Sequence, residues 1–270
     1  MFLVFIMVNS KSESQPIDSF FIKCTYKLTY LPDSNNLTKK FTDVLNLYVG
    51  KKTFMFFSQT KFLKDSSFEA AVKNGSIQDY LKDPSLRNQH GSSWLYSNCH
   101  LYFNYPEGKI TITDKIGDKQ YYYEENIENI NWDIVTDTIS ILNYKCQKAI
   151  TFFRGRKYEA WFTNEIPISY GPYKFRGLPG LIIKIRDIKN NYIYECTAIQ
   201  KRASAIPLNF NNRNYSKTTR SNFRQAFKAS FENPWQTFFL NNNVSISGPD
   251  ADKVKAIVQR SIPYNPIELE

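Results

Sequence analysis

Tyr144 to Asp187, YKCQKAITFFRGRKYEAWFTNEIPISYGPYKFRGLPGLIIKIRD, decides how the rest of the chain is read. Two apolar, aromatic-rich runs, Leu142 to Phe153 and Lys157 to Thr163, flank Arg154-Gly155-Arg156. This spacing predicts two paired strands with Gly155 at a hairpin tip or bulge. A return strand is expected over Leu181 to Asp187, reached through a Pro- and Gly-rich connection from Glu165 to Gly180. Pro fixes φ and Gly permits positive φ, so together they make an ordered, non-repetitive loop. Gly177-Leu178-Pro179-Gly180 is expected to form a tight turn with Pro179 and Gly180 at its centre, delivering Leu181 directly into a strand. Such a loop reads either as a rigid lip over a pocket or as packing over the end of a sheet.

The same strand grammar extends in both directions. Between Phe20 and Leu31, Ile22, Cys24, Tyr26, Leu28 and Tyr30 share one parity while Phe21, Lys23, Thr25, Lys27 and Thr29 share the other, which predicts a half-buried strand with the first set inward. Further strands are expected over Val44 to Val49, Phe54 to Phe57, Trp94 to Tyr105, Lys109 to Lys115, Gln120 to Glu124, Trp132 to Thr136 and Tyr192 to Lys201. Turn residues such as Pro106-Glu107-Gly108 and Gly117-Asp118 separate them. A helical excursion is expected from Ser67 to Leu86, with Gly75 and Pro84 as breakers, and C-terminal helices near Ser216 to Phe231 and Pro249 to Ser261. Many strands joined in sequence by tight turns predict a mainly β protein built on a single strongly curved antiparallel sheet, a half-barrel or open barrel with helices at its mouth. Its layout is similar in general design to the periplasmic lipoprotein-carrier folds.

Composition agrees with that class. The chain has 270 residues, 42% of them hydrophobic, enough for one large β domain over residues 16–270. Aromatic residues make up 16%, with 21 Phe and 18 Tyr, and they suit a pleated, half-buried surface. Residues 1–15, MFLVFIMVNSKSESQ, read as the tail of a clipped export signal, or alternatively as an ordinary hydrophobic strand. Export would permit disulfides among Cys24, Cys99, Cys146 and Cys196, in any of three pairings, while burial as free thiols suits the same strand positions. Their wide spacing, and the absence of His at ligand spacing, argue against a metal site, and no cofactor is expected.

The net charge of +10 attracts anions. Arg154 and Arg156, beside Lys174 and Arg176 of the following loop, are candidate contacts for a carboxylate or phosphate, with Glu159, Glu165 and Asp187 as competing internal partners. Between Lys201 and Phe231 seven basic residues occur without one Asp or Glu. At about 100° per residue, Arg220, Arg224 and Lys228 form a stripe beside Phe223, Phe227 and Phe231. That helix reads as a membrane- or ligand-facing element, or as a cover whose Phe stripe docks on the sheet while basic stems snorkel. His90 and His100 are the only histidines, and neither sits in a catalytic motif. His100 follows Cys99, and neighbours on a strand point to opposite faces, so no nucleophile–base pair and no catalytic residue is proposed.

The hexapeptide Gly177, Leu178, Pro179, Gly180, Leu181 and Ile182 resembles the signature of the GLPGLI family, a Gram-negative bacterial group of secreted or envelope proteins. YKCQKA at Tyr144 to Ala149, FRGR at Phe153 to Arg156, AWFT at Ala160 to Thr163, EIPIS at Glu165 to Ser169 and GPYKF at Gly171 to Phe175 are similar to the rest of that family's core. The resemblance implies a periplasmic or outer-membrane-associated protein and carries no established biochemical activity. The expected function is a non-enzymatic envelope protein that binds a lipid, a peptide or a membrane partner on a concave aromatic sheet. The alternative is an interaction module assisting assembly or export of outer-membrane proteins, and a hydrolase comes third. No nucleic-acid partner is expected, since no reading motif is present. The oligomeric state is not read from the sequence.

Overall fold

The computed structural model describes residues 18–76, 78, 82, 98–207, 214–234 and 264–270. The N-terminal segment 1–15, His90 and the helix expected over Pro249 to Ser261 lie outside the described residues. The elements in chain order are β1 (Ser19–Tyr30), β2 (Phe41–Val49), β3 (Phe54–Ser58), α1 (Gln59–Lys73), β4 (His100–Phe103), β5 (Lys109–Ile116) and β6 (Lys119–Asn126). There follow β7 (Asp133–Ile141), β8 (Tyr144–Phe153), β9 (Arg156–Thr163), β10 (Leu181–Asp187), β11 (Tyr192–Pro207), β12 (Ser216–Lys217) and α2 (Arg220–Glu232).

Period-two patterning positions the strands. On β1, Cys24, Tyr26, Leu28 and Tyr30 are buried, and Lys27 between them is exposed. Among the described residues the strands form one 12-stranded sheet in the order β12-β6-β5-β4-β3-β2-β1-β11-β10-β9-β8-β7, unpaired with itself at its two ends. The expectation of an all-antiparallel sheet needs one correction, because β12 runs parallel to β6. β12 reaches β6 from the distant strand β11 instead of through a hairpin, so no tight turn forces it to run the other way.

Connectivity alone shows that the sheet curls. β6 and β7 are ten strand positions apart in the order, roughly 48 Å along a flat sheet. Yet the chain passes from one to the other through residues 127–132, a connection that reaches at most about 25 Å from Asn126 to Asp133 when extended. The two ends of the sheet are therefore rolled towards each other. Side chains confirm it: Arg154, in the β8–β9 turn, lies 3.3 Å from Glu125 on β6.

The interior of this half-barrel is filled from the middle of the chain. The connection between β9 and β10, residues 164–180, folds inward, burying Tyr173, Phe175 and Leu178. Tyr170 stacks on Phe54 of β3 with ring centroids 3.7 Å apart and meets Phe103 of β4 edge-on, so the loop ties one half of the sheet to the other. Tyr26 of β1 donates to the Ile182 carbonyl at 2.8 Å.

The helix expected at Ser67 to Leu86 begins earlier. Ser58 caps α1, its hydroxyl accepting from the Lys61 amide at 3.1 Å, and α1 ends at Lys73, just before Gly75 as expected. Residues 77–86 of that expectation lie largely outside the described residues.

Candidate functional site

The β8–β9 hairpin turns on Arg154 and Gly155, with φ of 49° and 81°. Two successive positive φ values make the two-residue turn whose twist matches paired strands, and Gly serves at its second position. The turn leaves room for a neighbour: a Cβ on Gly155 would lie 2.7 Å from the Leu269 Cβ. Leu269 belongs to the segment Tyr264–Glu270, YNPIELE, which runs through the mouth of the half-barrel.

Side chains hold this segment, chiefly through its backbone carbonyls. Tyr192 of β11 donates to the Asn265 carbonyl. Arg156 reaches the Pro266 carbonyl at 2.6 Å, and the Tyr158 hydroxyl reaches that of Ile267 at 3.1 Å. From α2, Arg224 donates to the Glu268 carbonyl at 2.8 Å and Arg220 to that of Glu270. Leu269 N also bonds the Arg154 carbonyl, at 2.8 Å. Asn265 is read at both ends of its amide, donating to the Leu31 carbonyl at 2.8 Å and accepting from Arg156 at 2.6 Å. Ile267 is buried in the main apolar core.

Glu268 sits at the centre of the site. One carboxylate oxygen accepts from the Tyr173 hydroxyl at 2.6 Å and from Lys174 Nζ at 2.8 Å. The other accepts from Arg220, at 2.6 Å from Nη2 and 3.1 Å from Nε. Burial by itself would raise the Glu268 pKa, but the Lys174 charge, the hydrogen bonds from Lys174 and Tyr173 and the Arg220 charge outweigh it and hold the group at about 2. Lys174 also binds Glu125 at 2.7 Å, and Arg220 lies 3.6 Å from that same carboxylate. Tyr173 takes up its position with φ of 55°, a left-handed conformation uncommon for a bulky side chain. Burial pushes the Tyr173 hydroxyl well above its ordinary pKa, keeping it protonated as a donor.

The four cations singled out in the sequence thus converge on one end of the half-barrel, each engaged by the protein itself. Arg154 pairs with Glu125 and Glu128, both at 3.3 Å. Arg156 adds Asp187 at 3.4 Å to its grip on the segment. Lys174 joins Glu125 to Glu268. Arg176 donates to the Lys174 carbonyl at 3.0 Å and to the Glu128 carbonyl; burial lowers its pKa. Of the acidic partners expected for them, Asp187 binds Arg156. Glu159 instead pairs with Arg186 at 2.9 Å, and Glu165 accepts from the Lys145 amide at 2.8 Å. Glu125, Glu268, Tyr173, Tyr158, Tyr192 and Asn265 were not singled out from the sequence. The inward parity of Tyr158 and Tyr192 was a usable signal; an isolated glutamate near the end of the chain carried none.

The hexapeptide shapes this site from behind. The chain bends over Leu178 to Gly180, where the tight turn is expected, and Leu181 N bonds the Ile166 carbonyl at 3.0 Å. Gly180 is needed for close approach, since a Cβ there would fall 2.0 Å from the Thr163 carbonyl oxygen. Leu178, Leu181 and Ile182 are wholly buried. On α2, Phe223 packs on Tyr121 and Tyr123 of β6, and Phe231 stacks on Tyr264 at 4.9 Å, with Phe227 between them. Arg220 and Arg224 turn to the segment, whereas Lys228 points to solvent beside Glu232.

All four cysteines are free thiols, and burial raises the pKa of Cys24 and Cys146, and that of Cys196 to about 12, unsuited to a nucleophile. His100 lies in β4, its ring against Phe57 and Tyr102. Among the described residues no cluster of three or more metal-ligating side chains occurs, and no helix is long and apolar enough to cross a membrane.

A family model described as a protein of unknown function (Porph_ging) matches residues 153–184, which run from the β8–β9 turn through the whole hexapeptide. No curated protein matches the chain. Among solved structures, PNGF-II in the C2 space group is similar in fold, at 14% identity and a TM-score of 0.50, over 82% of this chain and 33% of that one. PNGF-II in the P21 space group gives 13% identity and a TM-score of 0.49, over 81% and 34%. The chain therefore spans about a third of the structures it matches.

Proposed function

We propose that this protein is a non-enzymatic binding module of the cell envelope that holds an extended polypeptide segment at the mouth of its curled sheet. The observation that carries the reading is the manner in which Tyr264–Glu270 is held. Arginine and tyrosine side chains take its carbonyls, as a binding groove takes a peptide, where a permanent strand would be paired by a backbone ladder. Backbone recognition of this kind accepts many sequences, while pockets for Ile267 and Glu268 supply selectivity. The segment then acts as an occupant in cis, and a partner's segment replaces it.

Hydrogen exchange on the full chain tests this. If the site is exchangeable, the amides of Asn265 and of residues 267–270 exchange through a local opening, at least about tenfold faster than those of β1 and β11. Exchange of the segment only with global unfolding would mean that the groove is never vacant, and the reading would fail. Fractionation of cells producing a tagged chain checks the envelope assignment.

A further inference from the structure

We infer that the pocket formed by Tyr173, Lys174 and Arg220 is a glutamate-recognition site, which selects an acidic side chain on an extended peptide supplied by a second polypeptide. The inference rests on the segment-binding reading above and adds the chemical class of the ligand.

Three features of the pocket point to a carboxylate. Four donor contacts reach the two oxygens of Glu268, from Tyr173, Lys174 and two nitrogens of Arg220, a set that a carboxylate satisfies and an amide does not. An amide nitrogen in either place would face a donor with another donor. Second, the charges do not balance without the occupant. Among the described residues, with Glu268 withdrawn, Lys174 at 2.7 Å and Arg220 at 3.6 Å share Glu125 as their ion-pair partner, which Arg154 also engages at 3.3 Å, and the Lys174 side chain is 2% exposed. A buried cation with half of its counter-charge removed is a strong demand for an anion. Third, Tyr173 is held in its left-handed conformation while its hydroxyl touches the carboxylate, and local strain of this kind gathers at ligand clamps.

The neighbouring contacts narrow the ligand further. Ile267, immediately before the glutamate, enters the apolar core, and the Pro266 carbonyl before it and its own carbonyl are taken by Arg156 and Tyr158. The ligand is therefore an extended peptide with a branched aliphatic residue directly before a glutamate. A free phosphate would satisfy the cations and leave these flanking contacts unused.

The test uses the full chain carrying Glu268→Ala, which vacates the pocket, and a fluorescent peptide of sequence YNPIELE, followed by anisotropy. The vacated chain should bind the peptide at least about tenfold more tightly than the unmodified chain, because the cis occupant competes less well. Replacing the peptide's first glutamate with glutamine should weaken binding by about tenfold or more. Equal affinity for the two peptides would overturn carboxylate selection and leave segment binding standing. No binding of either peptide to a folded vacated chain would overturn both. Should Glu268→Ala fail to fold, Glu268→Gln keeps the shape of the side chain and supports the same comparison. Inorganic phosphate competing as well as the YNPIELE peptide would reduce the site to a simple anion pocket and refute the peptide class.

Discussion

Inside the mouth of the half-barrel, Lys174 meets Glu125 at 2.7 Å and Glu268 at 2.8 Å; on the exposed side of β10 and β11, Lys184 meets Glu195 at 2.8 Å. The distances are the same and the energetics are not. The inner side chains are 2%, 8% and 7% exposed, and the outer pair 32% and 44%. Water screens the outer charges and solvates either one if its partner leaves, so such a pair contributes about 0 to 1 kcal/mol. The inner charges have given up their hydration and depend on one another, which makes loss of a single member costly. Geometry thus tells where two charges meet, and burial tells how much follows from it.

The largest expected effect is that of Lys174→Met, which leaves Glu125 and Glu268 buried with less counter-charge. It should destabilise the chain by about 3 to 5 kcal/mol in urea unfolding, and a loss below about 1 kcal/mol would place the inner cluster in the same class as the outer pair. Next comes the acid response of Glu268. Its folded pKa is depressed from the usual 4.5 to about 2, so its contribution is complete above pH 4.5 and lost as pH falls towards 2. The shift corresponds to roughly 3 kcal/mol. Unmodified protein should exceed Glu268→Gln in stability by about that amount at pH 7, with the difference closing over this window. A constant difference from pH 7 to pH 2 would show that the carboxylate charge is not what matters. Smallest is Lys184→Ala, expected to shift unfolding by less than about 0.5 kcal/mol and to be insensitive to the state of the segment.

The readable parts of the chain were those in which local chemistry and final contact coincide. The parity of Cys24, Tyr26, Leu28 and Tyr30 announced the buried face of β1, because a strand turns alternate side chains to one side whatever it packs against. Arg154-Gly155 announced the hairpin, because the turn needs positive φ at adjacent positions. Gly180 was legible as special for another reason than the true one: its lack of a side chain serves close packing against the Thr163 carbonyl. The basic stripe on α2 was also visible, though not its division, with Arg220 and Arg224 turned to the segment and Lys228 left in water. The site resisted reading because its members come from separate parts of the chain. Lys174 and Glu268 are 94 residues apart, and Glu125 lies on a strand near the other end of the sheet order.

By itself, then, the sequence determined a mainly β chain, the strand faces, the inner hairpin and a Pro/Gly-stiffened loop, since these depend on side-chain period and backbone freedom over a few residues. Tertiary structure alone decided that the expected curl brings β6 up to the β8–β9 turn, that the hexapeptide loop fills the interior, and that Tyr264–Glu270 enters the mouth. Those outcomes depend on which distant surfaces lose water together. In the same way, an unremarkable glutamate and a loop lysine became a buried ion pair only when the curl brought them within 2.8 Å.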